Sequence, residues 1–355
     1  MTIKTQFWQV KGDSKAQGEA DQAAIAAAAK LLRAGGTIAF PTETVYGLGA
    51  DARQTAAVES VFAAKGRPSD NPLIVHIAKE EQLQTLVQPY GDTEKALMRR
   101  FWPGPLTLVL PALEGAVSPR VTAGLNTVAV RMPDHEVALR LITESGCPVA
   151  APSANRSGRP SPTLAEHVRE DLDGLIDGIV DGGPTGVGLE STVVLVEAQG
   201  VVRILRPGGI TPAQLREVAP TVLLDESLEA AAAPRSPGMK YTHYAPRGSM
   251  LLVHGEPDNV RAYIAEAVRA AKEQGEITGV LTYDEHAASY DADVVISCGS
   301  LMKLETAAQG LYVALREFDA RDVQRIWAEA CSSEGIGLAL MNRLEKAAGH
   351  QIIHV

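Results

Sequence analysis

Residues 38–77 constrain the fold more than any other stretch, because they combine two apolar runs, a polar turn, a helix and a cationic loop. The run 38–40 stops at Pro41, and a hydroxyl-rich turn then leads to two glycines. Apolar residues recur at helical spacing over 57–62, and the run 73–77 is a buried-strand pattern that only His76 interrupts. This order predicts strand, turn, helix, loop and strand, with their polar parts folded towards one place.

The polar residues of this stretch are candidates for a binding site, and each also has an ordinary structural interpretation. Gly47 and Gly49 allow backbone to approach a ligand closely, but threonines beside glycines also suit a simple turn. Lys65 and Arg67 follow the predicted helix and partly offset its dipole, and we expect their loop to tolerate truncation. A single strand histidine is more often a hydrogen-bonded core residue, so His76 alone does not establish a ligand site.

Three later stretches place polar groups beside predicted strands. The strand 127–131 ends in Arg131, which is either solvated or directed into a cleft. A strand over 147–151 leads into PSANRSG at 152–158, which suits a nucleotide site or a capped surface loop. Residues 181–188 contain four glycines, but without the lysine placement of a Walker motif or the spacing of a dinucleotide-binding fingerprint.

The second half of the chain changes its pattern twice. Runs at 193–196 and 201–205 predict a hairpin, so the first sheet should be mixed. Strands and helices alternate after residue 247, as in a small parallel sheet, but no glycine fingerprint follows the first strand. The intervening 213–247 has the composition of a linker, yet the aromatic residues within 236–246 predict a lid over a nucleotide cleft or a strap at the domain junction.

Length, charge and cysteine content limit the class of protein. A chain of 355 residues exceeds a usual single core, and its net charge of −10 disfavours a general polyanion binder. Three scattered cysteines make neither a disulfide framework nor a zinc motif, which fits a reducing compartment. No signal-peptide pattern or long apolar run stands in the sequence, so we expect a cytoplasmic protein that does not associate with a membrane.

Four motifs together resemble the Sua5/YrdC/YwlC family of two-domain threonylcarbamoyl-AMP synthases, and the resemblance covers nearly the whole chain. They are PTETVYGLG at 41–49, KGRPSDNPLIVHI at 65–77, PSAN at 152–155 and SPGMKYTHYAP at 236–246. The resemblance implies an α/β protein with a YrdC-like catalytic domain at 1–212, whose twisted mixed sheet is flanked by helices. It further implies a linker with a lid motif at 213–247 and a smaller Rossmann-like parallel α/β domain at 248–355. We expect the first domain to stay folded when the chain is cut after Gly209.

The function that the resemblance implies is nucleotidyl transfer. L-threonine, bicarbonate and ATP would give threonylcarbamoyl-AMP and pyrophosphate, with Mg²⁺ arriving on ATP and no metal ion held tightly by the protein itself. A downstream threonylcarbamoyl-transferase complex would then form N6-threonylcarbamoyladenosine in tRNAs that read ANN codons. A weak contact between this protein and tRNA is compatible with that role. Such chemistry relies on positioning and charge neutralisation, so it requires no dedicated nucleophile.

The resemblance also assigns site residues position by position, in two sets. The set expected to face threonine, bicarbonate or the carbamate is Thr42, His76, Arg131 and Ser191, with Lys65 and Arg67 as the catalytic cations. The set expected to face ATP is Lys65, Ser69, Thr127, Ser153, Asn155, Ser161, Arg206, Tyr241 and Tyr244.

Rival functions come from other classes. An RNA-binding module without catalysis is disfavoured by the acidic total and by the density of Ser, Thr and Asn at the scale of a small ligand. A carbamoyl-transfer enzyme like the hydrogenase-maturation proteins would carry an acylphosphatase-like region and zinc-type cysteine clusters, and this sequence has neither. A regulatory protein that senses ATP stays open, and threonine-dependent pyrophosphate release would distinguish it from an enzyme.

Overall fold

The computed structural model describes residues 3–11, 18–225 and 243–355, which divide into two compact units. The first unit holds the described residues up to 157, then 162–186 and 190–225. The second holds 243–355 together with two short segments, 158–161 and 187–189. The boundaries 1–212, 213–247 and 248–355 stay a prediction.

The first unit contains eleven strands and seven α-helices among its described residues. The strands are β1 (Gln6–Gln9), β2 (Ile38–Phe40), β3 (Gly47–Asp51), β4 (Ile74–His76), β5 (Leu106–Pro111), β6 (Thr127–Arg131), β7 (Val149–Ala150), β8 (Gly178–Asp181), β9 (Thr192–Val196), β10 (Val202–Arg206) and β11 (Val222–Leu224). The α-helices are α1 (Glu19–Arg33), α2 (Thr55–Lys65), α3 (Asp92–Phe101), α4 (Pro119–Thr122), α5 (Glu136–Ser145), α6 (Ala165–Leu172) and α7 (Pro212–Arg216), and Glu80–Thr85 is a 3-10 helix.

These strands form one mixed sheet in the order β1-β8-β2-β3-β7-β4-β6-β5-β9-β10-β11. The β4–β6 and β5–β9 pairs are parallel, whereas β5–β6 and β9–β10 are antiparallel. The predicted hairpin and the predicted mixed sheet are therefore confirmed.

The two faces of the sheet are packed differently. One face carries a large core in which Val75, Leu108 and Val130 meet Val58 of α2 and Leu97 of α3. On the other face, helices α1 and α5 pack where β2 and β7 lie. Further along that face, a smaller apolar cluster of described residues draws only on strands β4, β5, β6, β9 and β10. We call this cluster the strand-only face; its buried members are Ile74, Val109, Ala129, Val193 and Leu205.

The second unit contains a sheet of five parallel strands. Its strands are β12 (Ser249–His254), β13 (Thr278–Thr282), β14 (Val294–Ser297), β15 (Arg325–Glu329) and β16 (Ile352–His354), and its helices are α8 (Pro257–Glu273), α9 (Leu304–Ala320) and α10 (Gly337–Ala347). The strand order is β14-β13-β15-β12-β16, and each adjacent pair is parallel. This confirms the predicted Rossmann-like parallel α/β fold. None of the helices described in either unit is both long and apolar enough to cross a membrane.

The structure corrects the interpretation of Gly47 and Gly49 as part of a turn. Both belong to β3, which is buried along its length. A Cβ atom on Gly49 would lie 2.6 Å from Val149 Cγ1 and 2.8 Å from Phe40 Cε1, so only glycine leaves room for these neighbours. The glycines are therefore needed for packing within the sheet, and their low strand propensity hid β3 from sequence analysis.

Candidate active site

Arg131, the last residue of β6, is fixed by three groups. Its Nη1 donates to Thr44 Oγ1 at 3.0 Å, and its Nε donates to the Gly104 carbonyl at 3.3 Å. Its Nη2 lies 2.5 Å from Glu43 Oε2. Arg131 is only 3% exposed. Of the two alternatives that the sequence left open, the structure excludes the solvated arginine.

The turn after β2 is closed by the hydroxyl of Thr42. Its Oγ1 donates to the Val45 carbonyl at 2.7 Å and lies 2.8 Å from Thr44 Oγ1. The backbone amides of Thr44 and Val45 lie 3.2 and 3.3 Å from the same oxygen. Thr42 thus holds the turn that brings Thr44 and Glu43 to Arg131.

His76, the last residue of β4, is the register partner of Arg131 across the β4–β6 pair. Its ring packs edge-on against Phe40, with centroids 6.1 Å apart. Burial, and secondarily the charge of Arg131, lowers the pKa of His76 to about 3, so the imidazole is neutral near pH 7. Its Nδ1 is buried and has no hydrogen-bond partner among the described residues. Backbone groups of Ile74 and Val149 lie near enough to the ring to oppose this lowering of the pKa in part.

Ser191 and Arg206 extend this arrangement across the next strands. Ser191 Oγ lies 2.7 Å from Thr107 Oγ1, and Arg206 Nη2 donates to Ser191 Oγ at 3.2 Å and to its carbonyl at 3.0 Å. The β5–β6 ladder pairs Leu108 with Val130, so the next residues, Thr107 and Arg131, stand opposite each other. Five residues therefore form what we call the cross-strand row, which is His76, Arg131, Thr107, Ser191 and Arg206.

Lys65 is hydrogen-bonded to the loop after β7. Its Nζ donates to the Ser153 carbonyl at 2.6 Å and to the Asn155 carbonyl at 2.5 Å. Ser153 Oγ in turn donates to Asn155 Oδ1 at 2.5 Å. Lys65 ends α2 and is 2% exposed, so the expectation that it belongs to a loop tolerant of truncation is wrong. The structure brings together three of the predicted residues, Lys65, Ser153 and Asn155.

Three other predicted residues are more accessible. Arg67 is half-buried and donates from Nη2 to the Pro72 carbonyl at 3.3 Å, and Ser69 is exposed. Thr127 begins β6, on the same face as Arg131, at a distance along the strand of about 13 Å. Ala129 of the strand-only face lies between them. A ligand that met both Thr127 and Arg131 would therefore have to lie along this face.

The remaining predicted residues lie in the second unit or outside the described residues. Ser161 and Tyr244 both belong to the second unit and are buried. The Tyr244 ring lies 5.3 Å from the Tyr312 ring, and the Arg343 guanidinium lies 5.6 Å from the Tyr244 centroid. Tyr241, like the rest of 236–242, lies outside the described residues.

Sequence reasoning assigned no site role to Glu43, Thr44 or Thr107. Glu43 and Thr44 stand in the turn that the sequence singled out, but their partner Arg131 is almost ninety positions further along the chain. Thr107 is a single hydroxyl inside an apolar strand run, and its contact with Ser191 spans 84 positions. No short-range pattern predicts contacts of this kind.

Tyr46 is also a structural residue rather than a turn residue. Its hydroxyl donates to the Gly183 carbonyl at 2.7 Å, and the residue is fully buried. Burial in the first place, and then Asp181, raises the pKa of Tyr46, so the phenol stays protonated. The contact ties the residue before β3 to the glycine-rich segment at 181–188.

Metal-binding geometry is absent from the described residues. Within 3–11, 18–225 and 243–355, no three His, Cys, Asp or Glu side chains are grouped so that they could hold a metal ion. All three cysteines are free thiols.

Comparisons with known proteins cover nearly the whole chain. A family model described as "Telomere recombination" matches residues 30–208, and one described as "Threonylcarbamoyl-AMP synthase, C-terminal domain" matches 210–349. A threonylcarbamoyl-AMP synthase of Bacillus subtilis is 54% identical over 352 residues, which are 99% of this chain and 100% of that protein. One from Schizosaccharomyces pombe is 43% identical, over 88% of this chain and 84% of the relative.

A solved structure gives the same result in three dimensions. Pyrococcus abyssi Sua5 complexed with L-threonine superimposes with a TM-score of 0.92 at 46% identity. The match covers 99% of this chain and 100% of that one.

Proposed function

Because the chain belongs to the family of threonylcarbamoyl-AMP synthases, we propose that it is a nucleotidyltransferase that makes threonylcarbamoyl-AMP and pyrophosphate from L-threonine, bicarbonate and ATP. The product serves a threonylcarbamoyl-transferase complex that modifies adenosine in tRNAs reading ANN codons. ATP and tRNA are the partners of a cytoplasmic enzyme, and three free thiols are consistent with that location. Any contact with tRNA itself is weak in this proposal.

The observation that carries the proposal is the cross-strand row. Arg131 and Arg206 are 3% and 5% exposed; Arg131 is paired with Glu43, and Arg206 donates to the hydroxyl and the carbonyl of Ser191. Solvent screens buried cations only weakly, so they bind anions strongly, and the reaction brings together a carboxylate, a carbamate and a triphosphate. Two buried cations beside the strand-only face are the groups that this chemistry needs.

Each part of the row has a proposed task. Arg131 and Ser191 hold the carboxylate and the carbamate, with Thr42 shaping the turn above them. Neutral His76 offers Nδ1 for a hydrogen bond without adding charge. Arg206 neutralises phosphate as the carbamate oxygen attacks the α-phosphorus and pyrophosphate leaves. Because the donors are fixed before the ligands arrive, little reorganisation is needed in the transition state.

Lys65 has two tasks in this proposal. It positions the loop after β7, and it contributes positive charge near the phosphates. By holding two carbonyls of the loop after β7, it orients Ser153 and Asn155, which we assign to ATP. Arg67 is the more accessible cation and meets the phosphates directly. The further groups assigned to ATP are Ser69, Thr127, Ser161, Arg206, Tyr241 and Tyr244.

We assign Mg²⁺ to this site as the companion of ATP. Mg²⁺ keeps several waters and is usually bound through substrate phosphates and one or two carboxylates, so it does not need a cluster of acidic residues. The described residues contain no such cluster. When bound, the ion would neutralise phosphate charge.

Tracing labelled bicarbonate by mass spectrometry tests the proposal. The full chain with ATP, Mg²⁺ and threonine should release pyrophosphate and form an adenylate that contains the labelled carbon. Omitting bicarbonate should stop product formation, and serine should compete only modestly, since one methyl group discriminates by about 1–3 kcal/mol. An unlabelled threonine adenylate would contradict the carbamate route, and ATP binding without turnover would indicate an ATP sensor.

A further inference from the structure

We propose that Glu43 binds the ammonium group of the amino acid and thereby makes the site selective for a zwitterionic substrate. This inference rests on the proposed function and adds a residue to it. Glu43 contacts a cation of the cross-strand row through the 2.5 Å approach of its Oε2 to Arg131 Nη2.

The Glu43 carboxylate has unused capacity as an acceptor. Its side chain is 12% exposed, and both oxygens are buried. Neither oxygen accepts an aligned hydrogen bond from a described residue, although Oε2 lies close to Arg131. A carboxylate accepts about four hydrogen bonds, so this one has room for a donor such as an ammonium group.

The charge balance of the site indicates which donor this is. The Arg131–Glu43 pair is neutral, so Arg131 can serve an anion well only when another cation compensates Glu43. Bicarbonate and triphosphate are anions, and only the α-ammonium group of threonine carries positive charge among the organic reactants. A zwitterion therefore meets both members of the pair, with its carboxylate at Arg131 and its ammonium at Glu43.

Among the described residues, Arg131 is the cation for which the structure records an ion pair with Glu43. His135 is close enough to feel the Glu43 charge, but burial lowers the pKa of His135, so its ring is neutral near pH 7. His135 Nδ1 is buried and unpaired among the described residues. Thr44, on the other side, donates or accepts as a neutral hydroxyl.

The test compares two ligands on two proteins. Isothermal titration calorimetry would measure the binding of L-threonine and of 2,3-dihydroxybutanoate of the same configuration, in which a hydroxyl replaces the ammonium group. In Glu43→Gln, threonine affinity should fall by about 10- to 150-fold, the range of a charge-assisted hydrogen bond. The affinity for the hydroxy acid should fall less than about threefold or should rise. In this variant the Glu43 carboxylate no longer competes with the carboxylate of the ligand for Arg131.

Glu59→Gln is the matched control, since Glu59 lies at the surface and pairs with Arg120 at 3.0 Å. It should leave both affinities unchanged. If Glu43→Gln does not fold, Glu43→Asp keeps the charge with a shorter side chain and should still prefer threonine to the hydroxy acid.

Two outcomes would overturn the inference. Equal losses for both ligands in Glu43→Gln would mean that Glu43 only positions Arg131. Equal affinities for both ligands in the unaltered protein or in Glu43→Asp would mean that the ammonium group is not recognised. Threonine selectivity without incorporation of bicarbonate would instead contradict the proposed function and leave the ammonium site standing.

Discussion

Charge at the candidate site is organised residue by residue, through burial rather than through clusters of like residues. Arg131 is neutralised by Glu43, Lys65 is enclosed by two carbonyls, and His76 is held neutral. Each group is nine-tenths buried or close to it, so its neighbours rather than solvent set its charge state and its orientation. Consequently, similar residue types in this site should respond differently to substitution.

Lys65 and Arg67 provide one such contrast. Lys65→Met should lower the free energy of unfolding by about 1–3 kcal/mol, because two buried carbonyls lose their donor. Arg67→Met should change stability by less than about 1 kcal/mol, since Arg67 is only half-buried. Both should reduce pyrophosphate release about 100-fold or more. Urea unfolding and the pyrophosphate assay would measure the two effects, and equal stability losses would contradict the roles assigned here.

His76 should make stability depend on pH. The unfolded chain takes up a proton near pH 6.5, whereas the folded state does so only near pH 3. The unfolded state thus binds more protons between these values, and the His76 contribution to stability declines as pH falls from 6.5 towards 3. Its slope approaches about 1.4 kcal/mol per pH unit.

Between pH 6 and pH 4, His76→Gln should reduce the slope of unfolding free energy against pH by about 1.4 kcal/mol per pH unit. The exposed His350, replaced by Asn, provides a control that should follow the parent protein. Urea unfolding at several pH values would measure both. Parallel curves for His76→Gln and the parent would mean that the imidazole titrates normally in the folded state.

Single elements of the fold depend on close approach between strands. At β3, Gly47 and Gly49 let the Phe40 ring lie across the strand, and the same ring contacts His76. The position of a candidate site residue is thus set by glycines that pack within the sheet. Sheet packing and site geometry share these residues.

Gly49→Ala should destabilise the protein by about 1–3 kcal/mol, because its Cβ would overlap Val149 and Phe40. Phe40 should shift in response, and His76 with it, so the rate of product formation should also fall. Gly18→Ala is the control, since no atom of the described residues lies within 4 Å of its added Cβ; as a substitution at the N-cap of α1 it should cost about 1 kcal/mol or less and leave the rate unchanged. Thermal unfolding checks both, and a neutral Gly49→Ala would show that β3 has room to move.

At the scale of the molecule, the first unit continues past the end of the hairpin. After Gly209, its core still includes Ile210, Leu215, Ala219 and Val222. Strand β11 also pairs with β10 at the end of the sheet. These contacts contradict the expectation that a chain cut after Gly209 keeps its first domain intact.

A chain that ends at Asp225 should fold, whereas one that ends at Gly209 should not. Burial of the three larger side chains, Ile210, Leu215 and Val222, contributes about 5–9 kcal/mol, comparable with the whole stability of a domain. Far-ultraviolet circular dichroism and urea unfolding of the two chains would decide the matter. Similar unfolding midpoints would mean that the segment after Gly209 is dispensable for the first unit.

Local pattern was sufficient for most elements and for the order of the motifs. The hairpin at Gly200 and the alternating elements after residue 247 follow from periodicity and turn residues, and both were predicted correctly. The site residues were assigned from the resemblance, and their contacts with ligands stay a prediction. The resemblance of four motifs supplied the family.

Tertiary structure alone decided how those residues are used. It converted Lys65 from a loop cation into a buried anchor, placed Gly47 and Gly49 in a strand, and paired Glu43 with Arg131. The reason is that burial and partner identity depend on residues about ninety positions apart, which the sheet order brings together and periodicity does not encode. The sequence determines which side chains can carry charge. Whether that charge is available to a ligand depends on the residues that the fold places beside it.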